Sequence, residues 1–231
     1  MQFLYSLESI RNPVLDAIMQ FFTELGGEAV FLVLALMIFW CVSKEEGYYL
    51  LFVGFLGTIL NQFLKLMFRI PRPWVKDPKF TIVESARGGA TGYSFPSGHT
   101  QNVVGTLGGI ARWQKQKWLR IACIAVLLLT SFSRMYLGVH TPLDVGVSFA
   151  IAVVLVFALY PVVRYAVQKP ERMYVLLGVM TAISLAFVLY ANLAAFPADI
   201  DAENLAHGRK NSYSLLGALL GLRHRAEVYP L

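Results

Sequence analysis

The sequence predicts an all-α protein, a polytopic membrane helical bundle of about six transmembrane helices with an N-terminal amphipathic helix. Three observations lead there. Of 231 residues, 57% are hydrophobic and 15% charged, with a mean hydropathy of +0.58, whereas a soluble domain carries about a quarter charged residues. The apolar residues are gathered into long runs, and about 20 of them in succession span a bilayer. The charges collect between the runs. A net charge of +6 raises nucleic-acid binding in a soluble protein. Here no soluble stretch carries a basic face, so nucleic acid is not an expected partner. Loop charges that orient the chain and a site for an anion account for the excess.

In chain order, residues 1–25 place Leu4, Leu7, Ile10, Val14, Leu15, Ile18 and Phe22 near a 3.6-residue period, with Glu8, Arg11, Asp16 and Gln20 elsewhere on the wheel. This pattern fits an amphipathic helix on the membrane surface, or equally a further helix packed on the bundle. Nothing in it resembles a cleavable signal, since residues 1–7 hold no basic group. Six spans follow at about 26–43, 47–68, 96–113, 119–133, 143–163 and 173–193. The third is diluted by Thr100, Gln101 and Asn102, which at membrane depth must face the bundle interior and so mark a functional helix. The tail, 194–231, runs from Asp199, Asp201 and Glu203 through an apolar stretch at 215–222 to Arg223, His224 and Arg225. That stretch is too short to span. A re-entrant segment, a surface segment and the start of a seventh span all fit it. The chain reads as one membrane domain over 1–231.

Arg112, Lys115, Lys117 and Arg120 form one loop, Arg164, Lys169, Glu171 and Arg172 a second, and Lys44, Glu45 and Glu46 a third. All three fall on one face, which the positive-inside rule makes cytoplasmic. The connections 69–95 and 134–142 and both termini then lie outside. Cys41 and Cys123 sit in apolar runs and read as small core side chains, not a disulfide or metal pair. Trp40, Trp74, Trp113 and Trp118 fall near the span ends, as an aromatic belt does.

Three polar clusters end up on the outer side. They are Lys65 with Arg72 and Pro73, then Pro96-Ser97-Gly98-His99, then Ser133-Arg134 with His140 and Asp144. Each residue type suits phosphate. Lys65, Arg72 and Arg134 supply three cations, the arginines able to grip two oxygens at once. Pro96 before a helix start turns the N–H groups of Ser97, Gly98 and His99 toward an anion. His140 and Asp144 are four apart, one turn if helical. A carboxylate on one imidazole nitrogen fixes the tautomer and frees the other to attack, leaving His99 as proton donor. Glu84 and Arg87 read as solvated loop charges within reach of a headgroup, and Gln101 and Asn102 as interhelical or supporting groups. His207 and His224 have no partner at ligand spacing.

The clusters resemble the signature of the type 2 phosphatidic acid phosphatase family, the PAP2 superfamily: K-x6-R-P, P-S-G-H and S-R-x5-H-x3-D. Every specified position is matched, in order and at the right spacing. The resemblance implies a metal-independent phosphatase without cofactors. His140 is expected to form a phosphohistidine, Asp144 to orient it, and His99 to protonate the leaving group and then activate water. Lys65, Arg72, Ser97, Gly98 and Arg134 are expected to hold the phosphoryl oxygens. It further implies a lipid phosphate or pyrophosphate as substrate, in a bacterial inner membrane with the site facing outward. Undecaprenyl pyrophosphate, phosphatidylglycerophosphate, phosphatidic acid and lipid A are the candidates. A lipid phosphotransferase using the same phosphohistidine and a non-catalytic phospholipid-binding protein are the alternatives. The soluble vanadate haloperoxidases, which resemble the family in these residues, do not fit a membrane chain. The sequence leaves the oligomeric state open.

Overall fold

A computed structural model describes residues 1–198 and 200–228, the last four by backbone alone; Asp199 and the Arg225 side chain lie outside what it describes. Among the described residues ten α-helices follow one another: α1 (Gln2–Glu8), α2 (Pro13–Glu24), α3 (Glu28–Cys41), α4 (Lys44–Phe68), α5 (Pro73–Lys76), α6 (Gly98–Trp113), α7 (Lys117–Tyr136), α8 (Pro142–Ala166), α9 (Pro170–Leu193) and α10 (Ala202–Val228). A 3₁₀ turn at Glu84–Ala86 lies in the long connection before α6. Among the described residues there is no strand.

The all-helical membrane bundle is present, with differences in how its spans are made. Among the described residues, four helices are long and apolar enough to cross a membrane: α4 with its continuation to Lys76, α7, α8 and α9. The segment expected at 26–43 is α3, 14 residues long. At 1.5 Å per residue it reaches about 21 Å, short of the ~30 Å hydrocarbon core. It meets the same criterion only jointly with α2, across a bend of 47°. The segment at 96–113 is α6, 16 residues and diluted by glycine and polar side chains.

The expected amphipathic helix over 1–25 is two helices. Asn12 caps α2 through a bond from the Leu15 N–H, and Pro13 occupies its first turn, so the chain restarts there. Both helices lie against α7. On α2, Asp16 accepts from the Tyr136 hydroxyl at 2.8 Å and Leu15 and Met19 pack inward, while Val14, Ile18 and Phe21 are exposed. An apolar face turned outward is what a lipid-contacting helix presents.

At the centre stands α4, buried along most of its length and flanked by α3, α6, α8, α9 and α10. Its neighbours approach on glycine. A Cβ on Gly109 of α6 would lie 2.6 Å from Leu50 Cδ2, so the α4–α6 contact exists only because no side chain intervenes. The glycines of α6 thus serve packing within one chain. The tail is an ordered helix of 27 residues packed on α9 and α4, with Leu215 and Leu219 in the main core. Its length allows a crossing, yet it is not among the helices apolar enough for one.

The three loops expected on one face do share one end. Arg164 meets Glu45 at 3.3 Å, and Gln114 donates to Glu46 at 2.8 Å. Trp40 and Trp118 are exposed as a belt requires, but Trp113 turns inward to stack on Tyr49 and Trp74 receives Arg72 and Arg87 over its ring. Both cysteines are unpaired; Cys123 is buried, while Cys41 is exposed and not a core side chain.

Candidate active site

The three clusters meet at the other end of the bundle. Lys65 lies in the last turn of α4. Arg69 then leaves the helix in the left-handed region, φ 51°, which turns the chain so that Arg72 precedes α5. Ser97 caps α6 through its hydroxyl. Beyond α7, Gly138 at φ +81° reverses the chain, and Arg11 clamps that turn by donating to the Tyr136 carbonyl at 2.9 Å. The turn delivers His140, and Thr141 opens α8 with a capping box completed by Asp144.

His140 and Asp144 therefore meet without sharing a helix. His140 precedes the cap and Asp144 is the third residue of the first turn; Nδ1 lies 3.6 Å from Asp144 Oδ2, both side chains being almost fully buried. That is longer than a hydrogen bond. The carboxylate is held by other donors, the Ser94 hydroxyl at 2.6 Å and the Thr141 N–H at 2.7 Å. On the other side of the ring, Arg72 lies 2.9 Å from Nε2. A guanidinium only donates, so Nε2 must accept and the neutral ring carries its proton on Nδ1, toward Asp144. The lone pair of the neutral ring is thereby assigned to Nε2.

Lys65, Arg72, Gly98, His99 and His140 line a polar cavity of about 110 Å³. Three expected residues stand behind it. Ser97 gives its N–H to the Asp144 carbonyl at 3.1 Å while its hydroxyl accepts from the Thr100 N–H of the α6 cap, Asp144 lies beside the His140 ring, and Arg134 is buried with its guanidinium on Thr23. Glu84 and Arg87 are exposed and paired with each other at 2.7 Å, away from the cavity.

Residues 46–168 match the family model of the PAP2 superfamily. The chain belongs to the PAP2 superfamily. It is 32% identical over 155 residues to an undecaprenyl-diphosphatase of Bacillus subtilis, covering 66% of this chain and 77% of that protein. It is 31% identical to phosphatidylglycerophosphatase B of the same organism, over 64% of this chain and 75% of that one. The crystal structure of a transmembrane PAP2-type phosphatidylglycerolphosphate phosphatase from Bacillus subtilis superposes with a TM-score of 0.59 at 27% identity, covering 68% of this chain and 81% of the other. The protein is thus an integral membrane PAP2 phosphatase, a phosphate-ester hydrolase.

Much of this PAP2 site is built by residues outside the three clusters. Arg72 is held by the carbonyls of Gly92 at 3.1 Å, Thr91 at 2.6 Å and Val139 at 3.0 Å; Lys65 donates to the Tyr93 carbonyl. Thr58, Asn61, Gln62 and Asn102 add polar wall, as do His207 and Asn211 of α10. No local spacing reveals these. The diluted hydropathy of span three did mark Asn102. His140, in the turn between α7 and α8, has its pKa pushed well below the ordinary 6.5 by burial and then by Arg72, Arg134 and Lys65.

Proposed function

We propose that this chain hydrolyses a lipid phosphate or lipid diphosphate at the extracytoplasmic face of a bacterial inner membrane, through a phosphohistidine on His140. The observation that carries this reading is the pairing of Arg72 with His140 Nε2, which leaves a neutral imidazole lone pair among buried cations. In the first step Nε2 attacks phosphorus as Arg72 exchanges its bond for a phosphoryl oxygen. The P–O bond to the leaving group breaks, and His99 supplies that oxygen with a proton. Asp144 balances the charge that His140 gains. In the second step His99 takes a proton from water, the hydroxide attacks phosphorus, and the P–N bond breaks to release inorganic phosphate. Lys65, Arg72 and the first N–H groups of α6 at Gly98 and His99 face the phosphoryl oxygens, with Arg134 acting from behind. Charge neutralisation by these side chains is why EDTA is expected to leave turnover intact.

We read the outward face from the two basic loops, 112–120 and 164–172, at the opposite end, and the lipid substrate from a polar site in a membrane bundle. The test is phosphate release by purified protein in detergent, without an acceptor. The substrates are an isoprenyl diphosphate, phosphatidic acid, phosphatidylglycerophosphate and an aryl phosphate. His140→Ala is expected to abolish release, and His99→Ala to lower kcat by about 10²–10⁴-fold. Release that persists in His140→Ala rejects the phosphohistidine; release only when a second lipid is added identifies a phosphotransferase.

A further inference from the structure

The helix α10 lies outside the family-matched segment, yet it makes one wall of the site. Gly208 brings it against α4, where a Cβ would lie 2.9 Å from Leu66 Cδ1, and Arg209 ties it to the Ala191 carbonyl of α9 at 3.0 Å. So fixed, it presents His207 and Asn211 to the polar cavity alongside Lys65, Arg72, His99 and His140. Two turns further on, Ser214, Leu215 and Ala218 line a second space of about 120 Å³ with Phe31, Leu32 and Phe55. Residues 207, 211, 214, 215 and 218 follow helical spacing along one face. The two spaces share Glu28 and Thr58 in their walls, so a polar compartment runs into an apolar one down a single helix.

We propose that α10 is the substrate-reading wall of this phosphatase. His207 and Asn211 donate hydrogen bonds to the leaving-group phosphate of a lipid diphosphate, and the attached hydrocarbon chain continues past Leu215 and Ala218 into the slot between α3, α4 and α10. This rests on the phosphatase reading with His140 as nucleophile. In displacement at phosphorus the attacking and leaving atoms lie roughly in line, so the leaving group departs from a wall that does not carry His140. The wall of α10, Glu28 and Thr58 continues into apolar space. A monophosphate leaves as a lipid alkoxide, whose oxygen His99 already serves. Two further polar groups between the transfer point and the slot match a second phosphate between the scissile bond and the chain.

The test uses the full chain in detergent with farnesyl diphosphate, farnesyl monophosphate and 4-nitrophenyl phosphate. For His207→Ala with Asn211→Ala, the ratio of kcat/KM for the diphosphate to that for the monophosphate is expected to fall by about 10-fold or more, as lost hydrogen bonds to a charged group imply. His207→Gln, which keeps an N–H donor, is expected to restore much of the ratio. Ala218→Trp, filling the slot, is expected to raise KM for both farnesyl substrates relative to the aryl phosphate. A proportional loss on all three substrates is the signature of a merely structural cap and overturns the proposal, as does an unchanged ratio. Wild-type protein that releases phosphate from none of the three overturns the phosphatase reading, and this proposal with it.

Discussion

At the scale of single residues, the turn between α7 and α8 decides the chemistry. Burial and the nearby cations hold the His140 pKa below 6.5, so the ring is neutral, and nucleophilic, at pH 7. In the unfolded chain the same histidine takes up a proton near its ordinary value. Stability from this group is therefore fully present above about pH 6.5 and is lost as pH falls through the folded value. The acid limb of kcat/KM against pH is accordingly expected well below 6.5, and a pH–rate profile of the purified protein checks it. A limb at or above 6.5 rejects the buried, cation-flanked His140 as the group that must be deprotonated. His140, Asp144 and Arg72 were all legible from motif spacing. Their supports were not: Ser94 on Asp144, Thr23 on Arg134 and Arg11 on the Tyr136 carbonyl are contacts between residues far apart in sequence.

Among the elements, α6 shows how packing replaces hydropathy. Its buried Thr100, Gln101 and Thr106 make it a poor membrane helix alone, but α4, α7 and α8 surround it. The approach to α4 depends on Gly109 facing Leu50 and Tyr49, both fully buried. Gly109→Val is expected to overpack this contact and destabilise the fold by about 1–3 kcal/mol, seen as a lowered unfolding midpoint in detergent. An unchanged midpoint means that the two helices separate without cost. The N-terminal helices illustrate the converse. Their apolar period was legible, but α2 splits it, packing Leu15 and Met19 inward beside Asp16 and Thr23, which meet Tyr136 and Arg134, and leaving Val14, Ile18 and Phe21 exposed. Periodicity gives a face its composition; only the neighbours determine which way it points.

For the whole molecule, the outstanding question is which end faces outward, and Cys41 offers a native probe. It is exposed at the end of α3, next to the loop whose Glu45 meets Arg164, while Cys123 is buried. If the basic loops are cytoplasmic, a membrane-impermeant maleimide is expected to label inverted vesicles and spare intact cells. Labelling of intact cells places the His140 end inside and removes the extracytoplasmic reading.

The sequence by itself determined the membrane class, the helical bundle and the motif residues from which the proposed chemistry is built. Each is written in short-range information: hydropathy over one span, or motif spacing within a few turns. Only the tertiary structure decided which cations reach the cavity and which stand behind it. It also bent the first expected span and brought His207 and Asn211 to the site. Those outcomes depend on close approaches such as Gly109 on Leu50 and Gly208 on Leu66, which join segments up to 142 residues apart in the numbering. The free energy of such contacts comes from fitted surfaces, and no local pattern of letters encodes a fit.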